Sequence, residues 1–148
     1  MTSPRETVRL SQVQDYRFDA SFGGNIPALR CDEPPPLGQG EGPSPVQLLC
    51  AAVGNCLSAS LLFAVRKYKQ DPGTIACEVQ AEVGRNAENR LRVLGIAVTL
   101  NIGAPGDTIE HLDRALASFE DFCTVTQSVR TGIPVSVAVF DAHGAQLK

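Results

Sequence analysis

Histidine is almost absent from this chain: of 148 residues, only His111 and His143 carry an imidazole. Neither has a cysteine or a second histidine at the spacing of a zinc site or a Cys–His nucleophile pair. Both read as surface residues, and no metal or cofactor is expected. A phosphate-binding loop is missing too, because the glycines of residues 38–42 lack the following Lys-Ser or Lys-Thr. Residues 1–10 are polar and charged and hold no apolar run of signal-peptide type. The five cysteines are odd in number and irregularly spaced. That pattern suits a reducing cytosol better than a stapled secreted domain, so a cytoplasmic location is expected. Cationic excess is lacking as well: 13 Lys and Arg against 16 Asp and Glu leave a net charge of −3. Nucleic acid and anionic membrane are therefore poor candidates for a main partner.

Residues 46–65 contain no charge at all, which raises the question of a membrane span. The stretch is built largely from Ala, Gly, Ser, Cys and Asn, and its flanks read as ordinary soluble strands. A buried core helix is the better reading. Ser44 caps it, Pro45 fits its first position and Gln47 completes a capping box. Arg66, Lys67 and Lys69 complement the dipole at its far end, and Asp71-Pro72-Gly73 stops it.

Around this helix the pattern is β-rich. Strands are expected over residues 7–10, 13–22 and 26–31, followed by a Pro- and Gly-rich loop over 32–43. The long helix spans 44–69 and a hairpin follows over 74–102, where Ile75, Cys77, Val79, Ala81 and Val83 alternate with polar residues. Helices occupy 107–131. Asp107-Thr108-Ile109-Glu110 reads as a second capping box, with Ile109, Leu112, Leu116, Phe119 and Phe122 as the apolar side. A last strand covers 133–140. The order predicts one α+β domain over 1–148: a mostly antiparallel sheet, a long buried central helix and a second helix. The long helix is apolar nearly all round, and one small sheet covers only one side of it. A homodimer burying both copies would supply the missing cover.

The cysteines divide by position. Cys31 lies at a strand–loop edge and Cys77 on the apolar face of a strand, and both read as packing. Cys50 and Cys56 share a helix, with a rise of about 9 Å between them, too far for a disulfide. Cys123 stands at the entrance of a short helix, where backbone N–H groups favour a thiolate. Cys56 is mid-helix, away from helix-end dipoles, and reacts only if a cation or donor from elsewhere supports its thiolate. Local chemistry thus leaves two readings open for Cys56 and Cys123: inert packing, or a redox pair with Cys123 the more reactive.

Two blocks carry a resemblance. The first is Gly42-Pro43-Ser44-Pro45, then Leu48-Leu49 and Ala51-Ala52-Val53-Gly54-Asn55-Cys56. The second is Phe122-Cys123-Thr124-Val125-Thr126-Gln127-Ser128-Val129. Together, in this order and with these elements between them, they resemble the OsmC/Ohr family of osmotically inducible and organic hydroperoxide resistance proteins. The resemblance implies an intertwined homodimer with two sites at the subunit interface. It implies a thiol peroxidase in oxidative stress defence, in which Cys56 attacks an organic hydroperoxide and Cys123 closes a disulfide on the resulting sulfenate. A dithiol reductant then regenerates the pair. The family supports its thiolate with an Arg, here Arg17 or Arg30, oriented by an acidic residue just after the helix-starting Pro. This chain has Val46 and Gln47 there; Gln47 can accept a hydrogen bond from an Arg, and Asp32, Glu33 or Glu41 are possible stand-ins for the charge. Thr124 replaces the family's Pro. The departure at 46 and 47 also leaves an alternative, a non-catalytic stress-related or small-ligand-binding protein on the same fold.

Overall fold

The computed structural model describes residues 2–148. A first compact unit ends at Leu48, and a second spans Leu49–Lys148.

In the first unit, strands β1 (Arg9–Gln14), β2 (Arg17–Ser21) and β3 (Leu29–Cys31) form an antiparallel sheet in that order. The sequence pattern suggested one strand over 13–22, but the chain reverses at Asp15-Tyr16. Asp15 takes the left-handed conformation at φ 53°, which a short polar side chain tolerates. The Gln12 amide donates to its carbonyl at 3.0 Å.

The loop that follows is closed by one buried carboxylate. Asp32 is 2% exposed and accepts the backbone N–H groups of Glu33 at 2.8 Å, Gln39 at 3.1 Å and Glu41 at 3.1 Å. Gly38 and Gly42 allow the loop to fold this tightly. A Cβ at Gly38 would overlap the Glu33 carbonyl and the Asp32 carboxylate, and one at Gly42 would overlap the Arg30 carbonyl.

Helix α1 (Pro45–Lys67) then begins as its sequence prescribes. The Ser44 N–H donates to Gln47 Oε1 at 2.9 Å and the Gln47 N–H to Ser44 Oγ at 3.2 Å, a reciprocal capping box. Arg66 and Lys67 lie in the last turn, and Lys69 at φ 58° takes the chain out of the helix.

The second unit packs α1 against a sheet ordered β4 (Ala76–Arg85), β5 (Leu91–Asn101), β6 (Val135–Phe140). The β4–β5 pair is an antiparallel hairpin. Its turn is held by Asn86 Oδ1, which accepts the N–H groups of Glu88 and Arg90 at 3.1 and 2.9 Å. Only β5 and β6 run parallel, so the mostly antiparallel expectation holds. Val53, Leu57, Leu61 and Val65 of α1 join Val98 and Leu100 of β5 and Phe119 in a core where each is at most 2% exposed. By length and composition α1 could cross a bilayer, but this face is committed to the core of its unit. The opposite face is open: Ala51, Ala52, Asn55, Ala59 and Phe63 are exposed.

Two expectations change here. The amphipathic helix expected from Asp107 to Phe122 is broken into a 3-10 turn (Gly106–Thr108), α2 (Leu112–Ser118) and a second 3-10 turn (Phe119–Phe122), while the short helix expected after Cys123 is present as α3 (Thr124–Val129). Thr108 turns its hydroxyl back onto the Pro105 carbonyl at 2.7 Å, a local bond that competes with helix initiation. The tighter winding after Phe119 rotates Phe122 off the buried stripe, leaving it 52% exposed. Its ring instead meets Phe63 edge-on, with centroids 6.0 Å apart. Cys77, expected on the apolar face of its strand, is exposed. The residues of α1 facing it are small, and they leave an open depression of about 370 Å³ lined by Cys50, Gly54, Asn55, Ser58 and Cys77.

Candidate functional site

Cys56 of α1 and Cys123 belong to the same core of the second unit. Cys123 lies between the second 3-10 turn and α3, as the N-cap of α3, and is fully buried. Its Sγ lies 3.0 Å from Thr126 Oγ1, and the Cys56 thiol is near enough to act on its ionisation. Both thiols are free. Cys56 is partly buried, one turn of helix ahead of the buried Ser60–Leu61 step.

Cys123 is held as a thiol. Burial pushes its pKa up, and the hydrogen bond and charge of Cys56 push it further, while the Thr126 hydroxyl and N–H pull the other way. Sequence reasoning gave the helix entrance the upper hand. In the structure desolvation outweighs it, because a two-turn helix offers few N–H groups and the sulfur has no access to water. The Cys77 thiol, on an exposed residue but partly desolvated against α1, is also pushed up, with the neighbouring Ser58 hydroxyl opposing the shift.

The arginine candidates separate clearly within the first unit. Arg17, its side chain only 19% exposed, donates to Glu41 Oε2 at 2.6 Å and to Gln14 Oε1 at 2.9 Å. Its charge, behind the three peptide N–H groups, helps to hold the Asp32 carboxyl below the usual carboxylate range despite burial. Arg30 stands opposite Asp19 across the β2–β3 pair and bonds it at 2.8 Å on the sheet surface. Hydrogen bonding and the charge of Asp19 raise its pKa. Of the acidic stand-ins, Glu41 is the one that meets an arginine candidate directly. Gln47 spends its side-chain oxygen on the capping box and makes no bond to either arginine.

Sequence reasoning named Thr126 within a motif but missed it as the partner of Cys123. The i, i+3 spacing from an N-cap residue is the signal that could have found it. It also missed Glu120, Arg130 and Lys148. Glu120 receives Arg130 Nη2 and Lys148 Nζ, both at 2.5 Å. Burial raises the pKa of this carboxyl, but Lys148 and Arg130 outweigh it and hold the group below its usual range. No sequence spacing announces a contact between residues 120 and 148.

Several solved structures share this fold. An OsmC-like protein from Mycoplasma pneumoniae superposes with a TM-score of 0.79 at 13% identity, covering 96% of this chain and 100% of that one. An organic hydroperoxide resistance protein OsmC from Legionella pneumophila gives 0.73 at 15% identity, covering 94% and 98%. One from Elizabethkingia anophelis gives 0.72 at 17%, covering 93% and 98%. No curated protein sequence matches the chain. The family model for OsmC-like proteins matches residues 38–138, a span that contains both cysteines of the pair and most of the chain, and the protein therefore belongs to the OsmC-like family.

Proposed function

We propose that the protein is a cytoplasmic, thiol-dependent peroxidase that reduces organic hydroperoxides in oxidative stress defence. The observation that carries the reading is the meeting of two free thiols, Cys56 and Cys123, that are far apart in sequence. Cys56, the less buried, attacks the terminal peroxide oxygen as a thiolate. The O–O bond breaks, the alkoxide leaves and takes a proton, and Cys56 becomes a sulfenic acid. The Cys123 sulfur then displaces its hydroxyl, forming the Cys56–Cys123 disulfide and releasing water. A dithiol reductant restores both thiols by exchange and is itself oxidised to a disulfide. The position of Cys123 suits the second step: a thiol held neutral survives beside its partner until the sulfenate forms.

The family resemblance assigns a guanidinium to the attacking thiolate. Arg17 is the better candidate, because Glu41 supplies it with the carboxylate that positions 46 and 47 lack. The open apolar face of α1 supports a homodimer as the working form.

The test is turnover of cumene hydroperoxide with dithiothreitol, followed by peroxide loss. Wild type is expected to consume peroxide at least tenfold faster than Cys56→Ser, and Cys123→Ser, given one equivalent of peroxide without dithiothreitol, is expected to hold a Cys56 sulfenate and form no intramolecular disulfide. Equal consumption by all three proteins sinks the proposal.

A further inference from the structure

Glu120 is tied to the cysteine-bearing segment more heavily than an ordinary surface acid. Its carbonyl accepts the Cys123 N–H at 3.1 Å and the Gln127 side-chain amide at 3.0 Å. Its carboxylate, 14% exposed, receives Arg130 and Lys148. Arg130 also caps α3 and directs Nε and Nη2 onto the Val135 carbonyl at the start of β6, at 3.2 and 3.0 Å. Lys148 Nζ reaches back to the Leu116 carbonyl at 2.9 Å and lies 5.1 Å from the centre of the Phe119 ring. The ten-residue step from Glu120 to Arg130 is thereby closed as a loop around Cys123, with one end fixed to α2 and the other to β6. No bond of this network touches either sulfur.

We propose that Glu120 is a positioning residue for disulfide closure: clamped by Arg130 and Lys148, it fixes the segment carrying Cys123 so that this thiol meets the sulfur of Cys56. The inference rests on the peroxidase reading and goes one step into it. A disulfide bond is about 2 Å long with a narrow dihedral preference. The two sulfurs must therefore close to bonding distance along a defined line. A segment anchored at both ends makes that approach intramolecular and oriented. A segment freed at one end samples positions in which the Cys123 sulfur is off that line, and misplacement by about 1 Å costs up to a hundredfold.

The experiment follows the two half-reactions separately in the full chain, comparing wild type, Glu120→Gln and Arg130→Lys. One equivalent of cumene hydroperoxide is added, dimedone traps the sulfenate at timed intervals, and non-reducing mass spectrometry counts the Cys56–Cys123 disulfide. A parallel arm replaces peroxide with diamide, which takes two hydrogens from a thiol pair and leaves a disulfide. Cys56 oxidation is expected to keep its wild-type rate in Glu120→Gln. Disulfide closure is expected to slow about tenfold, so that dimedone adduct accumulates. Arg130→Lys, which keeps a charge but loses the fork on Val135, is expected to fall between the two and serves if Glu120→Gln does not fold. A purely structural ion pair would lower the unfolding temperature and leave the sulfenate-to-disulfide ratio unchanged, and that result overturns the proposal. A wild type that consumes no hydroperoxide overturns the peroxidase reading instead. The diamide arm then still decides the positioning role, because equal closure rates in wild type and Glu120→Gln overturn it on their own.

Discussion

Replacing Thr126 by Val is the most direct probe of the environment of Cys123. Val keeps the shape and the β-branch and removes only the hydroxyl. Thr126 and Cys123 are both fully buried, and their oxygen and sulfur lie 3.0 Å apart. In the thiol state the S–H donates to the hydroxyl. When the thiol ionises the hydroxyl turns and donates to the sulfur, the stronger of the two bonds because its acceptor is charged. A hydrogen bond to a charged group contributes roughly 1.5–3 kcal/mol, and no water can replace it in a buried site. Thr126→Val also removes the weaker bond of the thiol state, so the difference, roughly 1 kcal/mol, lowers the thiolate population about fivefold at a given pH. The measurement is alkylation of Cys123 by monobromobimane, followed by peptide mapping, across pH 7 to 10 for wild type and Thr126→Val. The expected result is a pH–rate curve displaced to higher pH in the variant, with a slower rate at every pH below its plateau. Superimposable curves for two folded proteins would refute the reasoning, because they would show that the hydroxyl contributes nothing to the ionised sulfur.

Cys56→Ala should move the same curve the opposite way. The Cys56 hydrogen bond and charge both push the Cys123 thiol up, so their removal is expected to speed bimane labelling of Cys123 at fixed pH. Asp32→Asn should change the acid limb of stability. Burial opposes ionisation of Asp32, but the Glu41, Gln39 and Glu33 N–H groups and Arg17 win and depress its pKa. A depressed folded-state value stabilises the fold above the usual carboxylate range and loses that contribution as pH falls through the folded value. Wild type is therefore expected to lose stability below about pH 4 more steeply than Asp32→Asn, in urea unfolding monitored by far-UV circular dichroism.

The sequence made the helical framework legible wherever a local bond decides the structure. Ser44 and Gln47 announce the start of α1 because the partners are three residues apart, and Asp71-Pro72-Gly73 announces its end. The hairpin of β4 and β5 shows in its two-residue alternation. Local patterns failed where a residue had two local options. Asp15 could continue a strand or turn, and Thr108 could cap a helix or bond the Pro105 carbonyl. Phe122 keeps the apolar spacing of an α-helix but sits in a 3-10 turn, where the same spacing points elsewhere. The cysteine pair was legible only through the paired motifs, since no local rule joins Cys56 to Cys123. The choice of Glu41 as partner of Arg17, and the clamp of Glu120 with Arg130 and Lys148, depend on contacts between distant residues. Periodicity and capping rules carry no information about them.

The segment from Asp32 to Pro43 has the composition of a linker, with four prolines and three glycines. Its structure gives it the behaviour of a knot. A protease needs a stretch of chain it can straighten, and here the Asp32 carboxylate holds three peptide N–H groups while the Asp32 N–H is taken by the Pro43 carbonyl at 3.2 Å. The stretch that looks most cleavable on paper should therefore survive limited proteolysis of the native protein and become a cutting site only once Asp32 lets go.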